Sequence, residues 1–292
     1  MRLTGRRGGC VVSVLIAAHN EGHTIGPCLD RLLGDGRDTH LDVVVAANGC
    51  SDDTADQARR RGVTVVDLPS PGKAAALNAA EARATGFPRV YLDADISLSS
   101  ADLRLLIAPL DRVGAHGTVV LAAVPRRAID AHGATRPVRM YFDINARHPA
   151  YRDGLFGRGA IAISEKGRRR FTEFPLLVAD DLFLDSQFSA AEKVEVAQVE
   201  SVVETPRTVP DLLRRLARVR RGNSELRSAE SEGDVRPRSS LSWLSAEVRR
   251  QPGLAPSAMV YVGLTLAAQV QARLARPGWG TTRTAPDSVV PT

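Results

Sequence analysis

The sequence predicts an α/β fold: a mostly parallel central sheet flanked by helices, with a helical C-terminal extension. Three observations predict it. Short apolar, β-branched runs alternate with helix-patterned segments up to about Pro125. The first run, residues 11–18, is apolar almost without a break, as in a parallel strand buried on both faces. Each early run stops at a polar cluster, where open α/β sheets bind ligands beyond their strand ends. The chain of 292 residues is long enough for one large domain or two small ones.

The elements come in this order. Residues 11–18 form the first strand, which ends at His19-Asn20-Glu21-Gly22. A helix then places Ile25, Leu29, Leu32 and Leu33 on one face. Residues 41–46 are the second strand, followed by Ala47-Asn48-Gly49-Cys50-Ser51-Asp52-Asp53-Thr54. Ser51 or Asp52 is the expected cap of a helix over 55–61. Residues 63–68 are a third strand, Pro69-Ser70-Pro71-Gly72 a turn, and 73–85 an alanine-rich helix. The fourth strand, 89–95, ends in Asp93-Ala94-Asp95; a helix over 103–110 and a fifth strand over 119–124 come next.

Beyond Pro125 the rhythm changes. Helix is expected over 136–147, strand over 160–164 and 193–203, and a basic helix over 211–229. Residues 153–159 are glycine-rich, and Asp180-Asp181 precedes an apolar helical segment. The predicted organisation is a catalytic domain over 1–229, a polar linker over 230–240, a helical extension over 241–276 and a disordered tail over 277–292. The apolar core of the extension, 258–268, is shorter than the roughly 20 residues a bilayer span needs.

Composition narrows the function classes. Hydrophobic residues are 43% and charged residues 25%, an ordinary globular balance. The net charge of +6 suits a nucleotide diphosphate, an anionic lipid or nucleic acid without choosing among them. Cys10, Cys28 and Cys50 have no zinc spacing and fit a reducing cytoplasm. The basic start of the chain lacks the pattern of a signal peptide. No Walker loop occurs, although Gly72-Lys73 opens a helix, a favourable place for a phosphate.

Asp93 and Asp95 are the candidate metal ligands. Positions i and i+2 of an extended chain share a side, so the two carboxylates can face one cation. Hard divalent cations take oxygen ligands, and Mg²⁺ combines one or two carboxylates with substrate phosphates. Taken singly, every such motif also has a bland explanation. Asp-x-Asp can be a solvated turn, Asn-Gly a tight turn, Asp180-Asp181 a helix cap, and Arg214 to Arg221 a solvated basic face.

Their order carries more than any one of them. Ala18-His19-Asn20-Glu21, Asn48-Gly49-Cys50-Ser51-Asp52-Asp53-Thr54, Gly72-Lys73, Asp93-Ala94-Asp95, Asp180-Asp181 and Arg215-Leu216-Ala217-Arg218-Val219 succeed one another over residues 11–222. That succession resembles a family 2 glycosyltransferase of the GT-A fold. The resemblance implies transfer from a nucleotide-diphosphate sugar, a UDP-sugar first, with Mg²⁺ or Mn²⁺ on the diphosphate. It assigns Ala18, Asn20, Glu21, Asn48, Asp52, Lys73, Asp93, Ala94, Arg215 and Arg218 to the nucleotide-sugar. It assigns Asp93 and Asp95 to the metal, and Asp181 to the general base of an inverting displacement. The chain departs from the family pattern at several positions: Ala18 replaces its proline, Asn48 an aspartate at the base, Asp180 a glutamate, and Arg215 and Val219 the glutamine and tryptophan of processive members.

The acceptor class stays open among lipid, glycan and small molecule. No nucleic acid is expected. The expected place is the cytoplasm, and residues 258–268, flanked by Arg249, Arg250, Arg273 and Arg276, have two readings: a helix packed back on the catalytic domain, which is favoured, or a helix lying at the inner face of an anionic membrane. Two other readings compete. A nucleotidyltransferase of sugar phosphates would carry its glycine-rich loop after the first strand, whereas Gly5-Arg6-Arg7-Gly8-Gly9 precedes it. A basic membrane or nucleic-acid-binding module would rest on the arginines and net charge alone.

Overall fold

The computed structural model describes residues 11–34, 40–115, 117–176, 180–229 and 242–274. Strand β1 (Val12–Ala18) sits near the centre of the sheet. Its side chains alternate faces: Val14 and Ile16 enter one apolar layer and Leu15 the other. Strand β2 (Leu41–Asn48) repeats this, with Val43 and Val45 on one side and Val44 and Ala46 on the other. Both faces are covered, which is why these strands read as unbroken apolar runs.

The sheet is completed by β3 (Thr64–Leu68), β4 (Arg89–Leu92), β5 (Ala122–Asp130), β6 (Ala160–Ile163) and β7 (Lys193–Glu204). The order is β3-β2-β1-β4-β6-β5-β7. All pairings are parallel except those of β6, which is antiparallel to both β4 and β5. Because β1, β2 and β4 run the same way, their C-terminal loops gather at one edge.

Helices α1 (Gly22–Leu33) and α4 (Ser100–Ile107) cover one face through Ile25, Leu29, Leu32, Leu103 and Leu106. Ser99 caps α4, accepting from the Asp102 N–H while the Asp102 carboxylate accepts from the Ser99 N–H. Helix α2 (Thr54–Arg60) packs beside α1. Helices α3 (Lys73–Glu81) and α8 (Asp180–Ser186) cover the other face through Leu77, Leu182, Phe183 and Leu184. Two short turns of helix, α6 (Ala150–Asp153) and α7 (Glu165–Arg168), come after α5 (Arg136–Asn145). A third apolar cluster joins α5 to α9 (Val209–Ala229), α10 (Ser242–Arg250) and α11 (Ala255–Leu274).

Several sequence expectations need correction. Strand β4 ends at Leu92, so Asp93-Ala94-Asp95 forms a turn and the shared side of an extended strand does not apply. The fifth strand starts later than expected and runs through Pro125 to Asp130, because its partner β7 is long enough to pair with it. Helix α3 stops at Glu81, short of the predicted residue 85. The residue preceding α2 is Asp53, and Asp52 instead accepts from the Thr54 N–H and hydroxyl. The predicted linker and the tail from 277 lie outside the described residues, as does Cys10.

The extension is also longer than its apolar core suggested. Residues 252–274 are long and apolar enough to cross a membrane, and 22% of their most apolar stretch is buried inside the fold. Here α11 is docked on the protein: Tyr261 stacks on Tyr141 at 4.9 Å between ring centroids, and Ala268 is fully buried. Its outer side leaves Met259, Leu266, Val270 and Leu274 exposed, a stripe at helical spacing. Flotation with anionic vesicles checks this stripe. The full chain is expected to float and a chain lacking residues 241–292 to sink; full-length chain remaining at the bottom rejects the membrane contact.

Candidate active site

The loops after β1 and β2 are stitched into one unit. The Asn48 side chain is buried, donating to the Ala18 carbonyl at 2.8 Å and accepting from the Gly72 N–H at 3.0 Å. His19 Nδ1 lies 2.6 Å from the Asn48 carbonyl. Asn20, in left-handed backbone at φ 52°, accepts from the Ser51 N–H at 2.8 Å. Asp52 accepts from the Gly22 N–H, and Thr54 accepts from the Glu21 N–H. Gly49 has φ 58° and sits so close to Pro71 that a Cβ would fall 2.5 Å from its nitrogen, so a side chain is excluded there.

The sequence puts Asn48 at a base edge, but both ends of its amide are used inside the fold. Buried at 1% exposure, the amide presents no edge to a base in this arrangement. Asn48→Ala removes three hydrogen bonds, those donated to the Ala18 and Ala46 carbonyls and the one accepted from Gly72, and takes the partner from the Gly72 N–H. It is expected to lower stability by about 1–3 kcal/mol, read as a lower urea midpoint with an unchanged slope.

The second unit is electrostatic. Lys73 opens α3 and its Nζ lies 2.9 Å from Asp93 Oδ1 and 3.0 Å from Asp180 Oδ2. Burial opposes its charge, but the carboxylates of Asp180 and Asp93, aided by Asp181, hold its pKa well above the ordinary lysine value. Lys73 therefore stays charged and ties the turn after β4 to the start of α8. The Asp93 N–H donates to the Gly159 carbonyl at 2.8 Å, which anchors the turn to β6. Gly159, at φ 67°, is pressed against Ile96, so the turn fits only a glycine there. Ala94 is buried and Asp95 exposed. The negative field of the pair reaches Cys28, whose thiol is pushed up to about 12 by burial and then by Asp95 and Asp93.

Asp181 is held differently. Its Oδ2 accepts from the Gly157 N–H at 3.1 Å and its Oδ1 from the Leu182 N–H at 2.8 Å. Burial, then the charge of Asp180, raises its pKa from 3.8 to about 6, with Lys73 and the Gly157 N–H pulling the other way. A carboxylate with that affinity can accept a proton near neutral pH.

These groups line one cleft of about 630 Å³. Lys73, Asp93, Asp95, Asp180 and Asp181 are all among its lining residues, and so is Arg215. Arg218 is exposed and is not, and Asn20, Glu21, Asn48 and Asp52 form the adjoining loop unit rather than the cleft wall. Several lining residues were not singled out from the sequence: Arg127, Asn145, His148 and Tyr151. Arg158, behind the cleft, is almost fully buried; it donates to the Pro125 carbonyl and pairs with Glu195, locking the glycine-rich loop to β5 and β7. No local signal marks Arg127, because the predicted strand ended at residue 124 and β5 carries on past it.

Two carboxylates in one turn, a fixed cation behind them and only oxygen donors fit a hard divalent ion better than a soft one. Among the described residues, no third acidic, histidine or cysteine side chain joins them as a ligand group.

Known proteins resemble this chain in sequence and in fold. Two uncharacterized glycosyltransferases, from Mycobacterium bovis and Mycobacterium tuberculosis, are 34% identical over 104 residues, covering 36% of this chain and 45% of theirs. The chain thus spans less than half the length of the curated relatives it matches. Among solved structures, a mannosyltransferase from Pyrobaculum calidifontis in complex with GDP-mannose and Mn²⁺ is similar with a TM-score of 0.57. Its identity is 21%, over 90% of this chain and 79% of that one. Glucosyl-3-phosphoglycerate synthase from Mycobacterium tuberculosis, in complex with Mn²⁺ and UDP-glucose, gives 0.52 at 22% identity, over 79% and 81%. At such identities the likeness establishes a GT-A type fold. The model of the family described as Glycosyl transferase family 2 matches residues 13–160. With half of its length matched, from the first strand through the acidic turn to β6, the chain belongs to glycosyl transferase family 2.

Proposed function

We propose that the chain is an inverting glycosyltransferase that moves a sugar from a nucleotide-diphosphate sugar, a UDP-sugar first, to an acceptor hydroxyl. The observation that carries this reading is Lys73 bridging Asp93 and Asp180, with Asp181 beside them in the same cleft. Asp93 and Asp95 would hold Mg²⁺ or Mn²⁺ with the donor diphosphate, as the oxygen donor set favours. That ion, when bound, supplies Lewis-acid stabilisation of the charge on the leaving diphosphate.

The remaining steps belong to the chain. The stitched loops of Ala18, Asn20, Glu21 and Asp52 form a rigid floor for the nucleoside. Ala94, small and buried, lets the donor approach the turn. Lys73 fixes the carboxylate of Asp93 and adds positive charge beside the diphosphate. Asp181 accepts the acceptor's proton as its oxygen attacks the anomeric carbon, while the diphosphate leaves from the opposite face. Carboxylate and leaving group on opposite sides give one displacement and inverted configuration. Placement in the cytoplasm at a membrane's inner face fits the exposed stripe of α11 and is part of the same proposal.

A thermal-shift panel of UDP, GDP and ADP with their sugars, each with and without Mn²⁺, tests the donor. Stabilisation by a nucleoside diphosphate only in the presence of Mn²⁺, followed by slow hydrolysis of one nucleotide-sugar, supports the proposal. No response to any nucleotide would overturn it and favour the non-catalytic reading.

A further inference from the structure

Charge is segregated along the cleft. The acids lie around Lys73, whereas Arg127 and Arg215 line the part built by β5, α5, α6 and α9. Neither arginine forms an ion pair among the described residues. Arg127 donates from both terminal nitrogens to Asn145 Oδ1 at 3.2 Å and lies 4.2 Å above the Tyr151 ring, but its Nε is buried without a partner. Arg215 donates to a backbone carbonyl, that of Glu204, at 3.0 Å. Other arginines packed into the same half of the molecule do have acids: Arg158 has Glu195, Arg168 and Arg89 share Glu81, and Arg170 has Glu192.

A guanidinium without a carboxylate in partly desolvated surroundings is costly, and a second one nearby adds to the cost. Burial and the charges of Arg215 and Arg158 lower the proton affinity of Arg127, and the groups that support its charge are tyrosines. The strand geometry holds it there. The β5–β7 register shifts between Pro125 and Arg126, the extra residues lying on β7, while β5 runs on without a break and its successive side chains alternate faces. Arg126 then points outward to Glu200, and Arg127 points into the cleft. The path to Asp181 is short: Tyr151 lies against Gly157, and the Gly157 N–H donates to Asp181.

Resting on the transferase reading above, we propose that the acceptor carries a phosphate group, bound by Arg127 and Arg215, which holds its hydroxyl toward Asp181. Guanidinium forks match phosphate oxygens in pairs, and a dianion would satisfy both arginines at once. This moves Arg215 from the donor to the acceptor.

Calorimetric titration of the full chain with inorganic phosphate, in EDTA, tests the site. Saturable binding is expected, weakened at least tenfold in Arg127→Gln and in Arg215→Gln, partly kept in Arg127→Lys, and unchanged in Arg126→Gln. Should Arg127→Gln fail to fold, Arg215→Gln on a different element carries the same test. Glycerol 3-phosphate and vesicles of phosphatidic acid in phosphatidylcholine separate the sources. Arg127-dependent competition by the first marks a soluble phosphomonoester, and Arg127-dependent capture by the second a lipid phosphate. Absence of phosphate binding, or binding that survives both glutamine substitutions, overturns the proposal. The thermal shift with Mn²⁺ and nucleoside diphosphates, run on the same variants without EDTA, reports the donor site separately, so the absence of any response would refute the transferase reading and leave the phosphate result standing.

Discussion

Asp181→Asn is expected to lower turnover roughly 10²–10⁴-fold while donor binding stays near wild type. The substitution keeps the shape and the hydrogen bond from Leu182 or Gly157, and removes only the ability to take a proton. The pH profile gives an independent check. With Asp181 raised to about 6, wild-type activity should fall about tenfold per pH unit below that value, as the base becomes protonated. Stability responds to pH in the opposite sense. An acid whose pKa rises on folding contributes stability below its unfolded value of 3.8, and that contribution is lost as pH rises through about 6. Asp181→Asn should therefore be as stable as wild type or more so above pH 6, which separates a lost base from a damaged fold. Near-normal turnover in Asp181→Asn, with loss in Asp180→Asn, would shift the role by one residue. Activity in both would remove the general base from α8.

The second large effect concerns the turn after β4. Asp95→Ala and Asp93→Ala are each expected to cut turnover about 10³-fold or more, the scale of several kcal/mol of lost charge stabilisation. EDTA should do the same to wild type. The two variants should differ in stability. Asp95 is exposed, so its loss disturbs the fold less. Asp93 is one of the two carboxylates on Lys73, so its loss leaves a part-buried ammonium with Asp180 as its remaining close partner. A lower melting temperature for Asp93→Ala than for Asp95→Ala is the expected result. Full activity of wild type in EDTA would sink the metal role for both residues.

The sequence by itself determined the succession of elements that builds the sheet. Burial on both faces demands unbroken apolar runs, and those of β1 and β2 can be read directly. It also determined the order of the polar clusters, because parallel strands carry their loops to one edge. Other features were decided only by tertiary structure. The place of β6 between β4 and β5, antiparallel to both, comes from pairing that no local pattern encodes. The length of β5 was set by β7, a partner more than sixty residues away in the chain. Asn48 carries the residue type of a base reader, but contacts with Ala18 and Gly72 bury it and use its amide. Lys73, Asp93 and Asp180 were each named from the sequence, but their union into one ion cluster needs three loops brought together by the sheet. Arg127 stayed hidden for a related reason: the predicted strand stopped at residue 124, and only pairing with β7 carries β5 on through Arg127, beside the cleft.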